Sequence, residues 1–130
     1  MVFMPHWPKP IGFNKQINNH DTTLKALAYL GNPQDKLHNV IHIAGTNGKG
    51  STLAFIKQIL LSNKYSVNCY TSPHLLNFNE QIFIKNNLIS DHELKLFLEE
   101  VRLKLSDKFN LTFFQAITIA TIYIFSKFKA

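Results

Sequence analysis

A chain of 130 residues with 45% hydrophobic and 17% charged content is sized for one small globular domain and lies outside the charge-dense composition of disordered segments. Fourteen Lys+Arg against eight Asp+Glu give a formal net charge of +6, which favours anionic partners, but no dense Lys/Arg run interleaved with aromatics marks a nucleic-acid groove. The single cysteine, Cys69, excludes an internal disulfide, and the stretch Met1–Pro10 carries three prolines and no apolar signal core, so a cytoplasmic, reducing setting is expected.

Asp21 is placed to cap a helix running through Leu24, Leu27, Ala28 and Leu30 and stopped by Gly31 and Pro33. Val40-Ile41-His42-Ile43-Ala44, bounded by Asn39 and Gly45, predicts a strand buried on both faces. A glycine-rich loop follows, and from Ser51 the residues Leu53, Phe55, Ile56, Ile59 and Leu60 recur at helical spacing. Ser66 to Tyr70 reads as a second strand, with Cys69 a buried, inert thiol, so this stretch predicts a βαβ unit.

Thr71-Ser72-Pro73-His74-Leu75 is irregular, because proline disfavours helix in the residue before it. Gln81–Ile84 and Leu88–Ile89 predict a hairpin about Asn86-Asn87. Ser90 with Glu93 forms a capping box that opens a helix through Leu94, Phe97, Leu98, Val101 and Leu105. Thr112 with Gln115 forms another, leading into a helix apolar nearly all the way round. Two parallel strands and a few helices are not expected to cover such a helix, so the sequence reads as a fragment of a larger fold, or as one whose last helix another body covers. Its uncharged stretch, Leu111 to Ser126, falls short of the ~18–20 residues of a membrane span, which favours a core helix over a non-enzymatic, membrane-anchored module.

The chemistry concentrates in Gly45-Thr46-Asn47-Gly48-Lys49-Gly50-Ser51-Thr52. Glycines let backbone N–H groups converge on phosphate oxygens, and a following helix aims its positive end at them. Lys49 can reach terminal phosphates, and a hydroxyl at the helix start can ligate Mg²⁺. The strict GxxxxGK[ST] pattern is not met: Gly50 follows Lys49, the hydroxyl comes one place later at Ser51, and Ile43 stands where the first glycine would be.

That stretch resembles the ATP loop of the folylpolyglutamate synthase/dihydrofolate synthase family, of the Mur-ligase superfamily. Leu30-Gly31-Asn32-Pro33, Tyr70-Thr71-Ser72-Pro73-His74-Leu75, Phe78-Asn79-Glu80 with Ile89, and Thr112-Phe113-Phe114 are similar to it as well, in the same order. The resemblance implies an α/β fold: an incomplete P-loop, Mur-ligase-like parallel sheet with flanking helices, residues 1–130 being the amino-terminal part of an ATP-binding domain. It implies an ATP-dependent ligase that adds glutamate to a folate-type substrate through an acyl phosphate. Gly45, Thr46, Asn47, Gly48, Lys49, Gly50, Ser51 and Thr52 would bind the nucleotide, with Lys49 countering β/γ charge. Ser51 and Ser72 would each ligate Mg²⁺, and the loop opening with Ser72, Pro73 and His74 would border the folate site.

Two positions depart from the family pattern. Gln115 stands where a metal-bridging glutamate is usual, and Gln81 where arginine is common. The family's chain also continues for about two further domain lengths. The expectation is therefore a remnant inactive alone; the alternatives are a half-enzyme completed by a separately encoded partner, or a non-catalytic nucleotide-binding module.

Overall fold

The computed structural model describes residues 20–72, 81–106 and 108–130. Helix α1, His20–Tyr29, carries Asp21 inside its first turn rather than at its cap. Ala26 and Leu27 are its buried residues, while Leu24 is 57% exposed. It ends as the sequence requires: Gly31 takes φ +86°, Asn32 N–H reaches Leu27 O at 2.9 Å and Gly31 N–H reaches Ala28 O at 3.0 Å. This is the Schellman arrangement, in which a left-handed residue lets two amides return to the last turn. A short 3-10 turn, Pro33–Lys36, follows.

The expected strand Val40–Ala44 enters no sheet among the described residues, and Val40 and Ile41 are 69% and 60% exposed. A run apolar on both faces is fixed as a strand only where neighbours pair with both edges and helices cover both sides; nothing among the described residues does so here. Helix α2, Lys49–Ser62, begins two residues earlier than its apolar spacing suggested. Of the expected second strand only β1, Cys69–Tyr70, forms.

β1 pairs antiparallel with β2, Ile82–Ile84, and β2 with β3, Asn87–Leu88, so the described sheet is three-stranded and antiparallel in the order β1-β2-β3. The fold is α/β, but the expected parallel βαβ pairing is not among these strands. The hairpin turn sits one residue earlier than the sequence suggested. Ile84 pairs with Asn87, leaving Lys85 and Asn86 as the loop, at φ 46° and 71°. Two successive positive φ values define a type I′ turn, whose twist matches that of the strands.

Helix α3, Asp91–Leu105, is capped by Ser90 Oγ, which accepts the Glu93 N–H at 3.1 Å; Glu93 Oε1 in turn accepts the Ser90 hydroxyl at 3.0 Å. Its Leu94, Leu98, Val101 and Leu105 form one buried stripe. Helix α4, Phe113–Lys127, opens with the full capping box: Thr112 N–H donates to Gln115 Oε1 at 3.0 Å and Gln115 N–H to Thr112 Oγ1 at 3.1 Å.

Contrary to expectation, the chain itself covers α4. The helix packs against α1, the 3-10 turn and α3, and Tyr70 on β1 meets Thr118 across a 3.2 Å hydrogen bond. Ala116, Ile119, Ala120 and Ile124 are fully buried. Each buried isoleucine contributes roughly 1.5–3 kcal/mol by leaving water. Short elements achieve this together, and no extended parallel sheet is among the described strands.

Candidate functional site

The glycine corner is built by backbone conformation. Gly48 is the residue before α2 and takes φ 77°, ψ 4°, a left-handed geometry that a Cβ would strain. No side chain caps this end, and the first turn holds no acidic residue. The first amides of a helix lack intrahelical acceptors, and the aligned peptide dipoles leave the end positive. α3 and α4 resolve the same problem with Ser90 and Thr112. The α2 end has no such side-chain cap, and residues 44–52 are all exposed.

Lys49 is the first residue of α2, and its stem lies over the loop: a Cβ added to Gly45 would stand 3.8 Å from Lys49 Cγ. Its ammonium forms no ion pair among the described residues. The sequence-derived set Gly45, Thr46, Asn47, Gly48, Lys49, Gly50, Ser51 and Thr52 is therefore brought together at one strand-less corner leading into a helix. Ser72 lies apart from it in sequence, exposed just past β1, where Thr71 N–H donates to Gln81 O at 2.8 Å. Pro73 and His74, named with Ser72 for the substrate side, lie outside the described residues.

Burial pushes the Cys69 thiol up, with Lys57 partly offsetting it, which fits an inert thiol rather than a nucleophile. Burial likewise raises Tyr70, and its bond to Thr118 partly opposes this. Gln115 spends its amide oxygen on the Thr112 N–H and is 8% exposed. Gln81, read in the sequence as a departure and as the first residue of the hairpin, proves 5% exposed, its Oε1 without a hydrogen-bond partner among the described residues. Its burial had no local sequence signal, because what covers a residue just before a three-residue strand is set by segments distant in sequence.

No protein-family model matches the chain. Among curated proteins, it is 42% identical over 76 residues to the dihydrofolate synthase/folylpolyglutamate synthase of Bacillus subtilis (strain 168), covering 58% of this chain and 17% of that protein. It is 37% identical over 114 residues to the folylpolyglutamate synthase of Lacticaseibacillus casei, covering 82% of this chain and 26% of the relative. Among solved structures, a folylpolyglutamate synthase–AMPPCP–folate complex superimposes with a TM-score of 0.76 at 36% identity, over 84% of this chain and 28% of that one. The bifunctional synthase of Yersinia pestis complexed with AMPPNP and Mn ion gives 0.69 at 29% identity, over 82% and 26%.

By sequence and by fold the chain belongs to the folylpolyglutamate synthase/dihydrofolate synthase family. It spans about a quarter or less of the length of the relatives just named. No helix among the described residues is long and apolar enough to cross a membrane.

Proposed function

We propose that this chain is the nucleotide-binding part of a folylpolyglutamate synthase-like ligase, residues 1–130 contributing to its ATP-binding domain, and that alone it binds ATP without completing the reaction. The observation that carries the reading is the uncapped, acid-free start of α2 behind a left-handed Gly48, with Lys49 beside it in no ion pair among the described residues. In this reading the amides from Gly45 to Thr52 receive the phosphate oxygens and Lys49 balances the charge that builds on the β- and γ-phosphates during transfer. The γ-phosphoryl group would pass to a folate-type carboxylate, with ADP leaving. The amine of glutamate would then displace phosphate to form the amide. What these residues supply is position and counter-charge.

A divalent cation fits here only as nucleotide cargo. Ser51 and Ser72 offer neutral hydroxyls, and among the described residues no group of three or more His, Cys, Asp or Glu could hold an ion. Hard cations favour anionic oxygen, so the hydroxyls suit an ion already carried by phosphates. Gln115, with its oxygen committed to the α4 cap, adds no anion. This supports binding without turnover. We place the parallel arrangement, with 40–44 as one of its strands, in the complete ligase domain, where neighbours would cover it.

Titration of ATP·Mg²⁺ into the purified chain tests the reading. Wild type is expected to bind, and Lys49→Ala to weaken binding by roughly tenfold or more, the loss of a charge-assisted contact. Equal affinity of the two, or none in either, overturns the nucleotide assignment. Glutamate-dependent ATP hydrolysis by the chain with tetrahydrofolate would overturn the inactivity.

A further inference from the structure

We propose that Asn47 is a site of spontaneous modification: the backbone nitrogen of Gly48 attacks the Asn47 side-chain carbonyl carbon, and the carboxylate that results closes the corner to phosphate. The chemical step stands on the local structure; its effect on phosphate rests on the nucleotide reading above.

Asn47-Gly48 is the only asparagine–glycine pair in the sequence. Glycine has no Cβ to crowd the imide ring that such an attack closes, so this pair reacts where bulkier neighbours hinder it. Both residues are exposed and form the bend that leads into α2. Among the described residues no hydrogen bond holds the Asn47 amide or the Gly48 N–H. Other asparagines are tied down. Asn68 Nδ2 donates to Phe128 O at 2.8 Å, and Asn68 Oδ1 accepts the Lys85 N–H at 3.0 Å. Asn86 Oδ1 accepts the Val67 N–H at 3.1 Å, and Asn63 Nδ2 donates to Ile59 O at 2.8 Å. A side chain so held does not readily turn its carbonyl carbon onto the next nitrogen.

The start of α2 also favours the nucleophile. Gly48 O accepts the Thr52 N–H at 2.9 Å, so the helical turn begins at the residue whose nitrogen attacks. The aligned peptide dipoles leave that end positive, which eases loss of the Gly48 amide proton to base. A bond then forms between Gly48 N and Asn47 Cγ. The Cγ–Nδ2 bond breaks, and ammonia leaves with the proton that the amide gave up. Water opens the ring at either carbonyl. Cleavage at Cγ gives aspartate, and cleavage at the Asn47 main-chain carbonyl gives isoaspartate. Both products carry a carboxylate where a neutral amide stood.

That charge has opposite effects on the helix and on its ligand. A carboxylate beside the start of α2 complements the helix dipole, and it repels a phosphate that would occupy the same place. The aspartate form is therefore at least as stable as the parent and binds nucleotide less well. A bound phosphate that accepts the Gly48 N–H retains the proton the attack must lose, so occupancy protects Asn47.

The purified chain is held in mildly alkaline buffer with and without ATP·Mg²⁺, and conversion at each asparagine is followed by peptide mass spectrometry and released ammonia. Asn47 is expected to convert first, faster as pH rises, and about tenfold more slowly when ATP stands about tenfold above its Kd, the protection mass action sets. Conversion elsewhere before Asn47 overturns the modification site. Asn47→Asp is expected to keep or raise the melting temperature and to bind ATP roughly tenfold or more below neutral Asn47→Ser, through like-charge repulsion. Equal affinity of the two variants overturns the closure. If Asn47→Asp fails to fold, wild type aged to full conversion serves in its place. Conversion unaffected by an ATP concentration that saturates the chain overturns the protection. Wild type that converts at Asn47 but binds no ATP removes the nucleotide reading and the closure, and leaves the modification standing.

Discussion

Helices α2 and α4 are nearly equal in length, 14 and 15 residues, and both are rich in large apolar side chains, yet α2 buries none of its residues and α4 buries eight. In α2, Leu53, Ile56, Lys57, Leu60 and Leu61 are half-covered along one face, while Phe55 and Ile59 are 71% and 61% exposed on another. In α4 no residue from Gln115 to Phe125 is exposed. Apolar content alone does not decide what is core. α4 lies where three other elements converge, whereas α2 follows a loop that is exposed along its length. The helix that makes the fold and the helix that presents the candidate site are thus separate bodies.

The sharpest way to break this contrast is by truncation. Ile119→Ala or Ile124→Ala should lower the unfolding free energy by about 2–5 kcal/mol in urea denaturation, since both side chains are fully buried. Phe55→Ala and Ile59→Ala should stay within about 0.5 kcal/mol of wild type in the same assay. Comparable losses in the two helices would abolish the distinction.

The α4 core should also carry a pH signature. Tyr123 donates to Glu100 Oε1 at 2.7 Å, and burial, reinforced by Glu100, pushes its phenol from 10.0 up to about 12. A raised phenol resists ionisation in the folded state. The stabilisation is therefore complete below pH 10.0 and is lost as pH rises through about 12. Tyr123→Phe should flatten this part of the stability profile relative to wild type; an unchanged difference between the two across that window refutes the assignment.

Capping separates the two helices next. Thr112→Ala should cost about 1 kcal/mol by removing the hydroxyl that receives the Gln115 N–H. The start of α2 has no cap to lose, so substitutions of its Ser51 should leave thermal stability nearly unchanged. The smallest effect is a gain at the other end of α2. Lys64 sits at φ 64°, with Tyr65 N–H returning to Leu60 O and Lys64 N–H to Leu61 O, both at 3.0 Å. Lys64→Gly should raise stability by up to about 1 kcal/mol, because glycine occupies that conformation without strain. A loss would mean the lysine side chain holds the turn.

Much was legible in the sequence wherever the deciding interaction spans a few residues. Gly31 and Pro33 marked the end of α1, Ser90 and Thr112 marked the starts of α3 and α4, and the Asn-containing turn marked the hairpin to within one residue. The glycine corner was legible for the same reason, since Gly48's left-handed backbone and the following Lys49 are one local arrangement. Less was visible where burial decides. Val40–Ala44 has the composition of a buried strand but no partner among the described residues, and α4 was expected to lack cover that α1, the 3-10 turn, α3 and β1 supply.

The sequence by itself determined the end of α1, the starts of α3 and α4, the glycine corner and the family, because capping, glycine conformation and motif spacing act between near neighbours. Only the tertiary structure decided which apolar helix is core, which direction the strands pair, and that Gln81 is buried with an unsatisfied oxygen. Those depend on what distant segments place against a residue, and no local pattern records it.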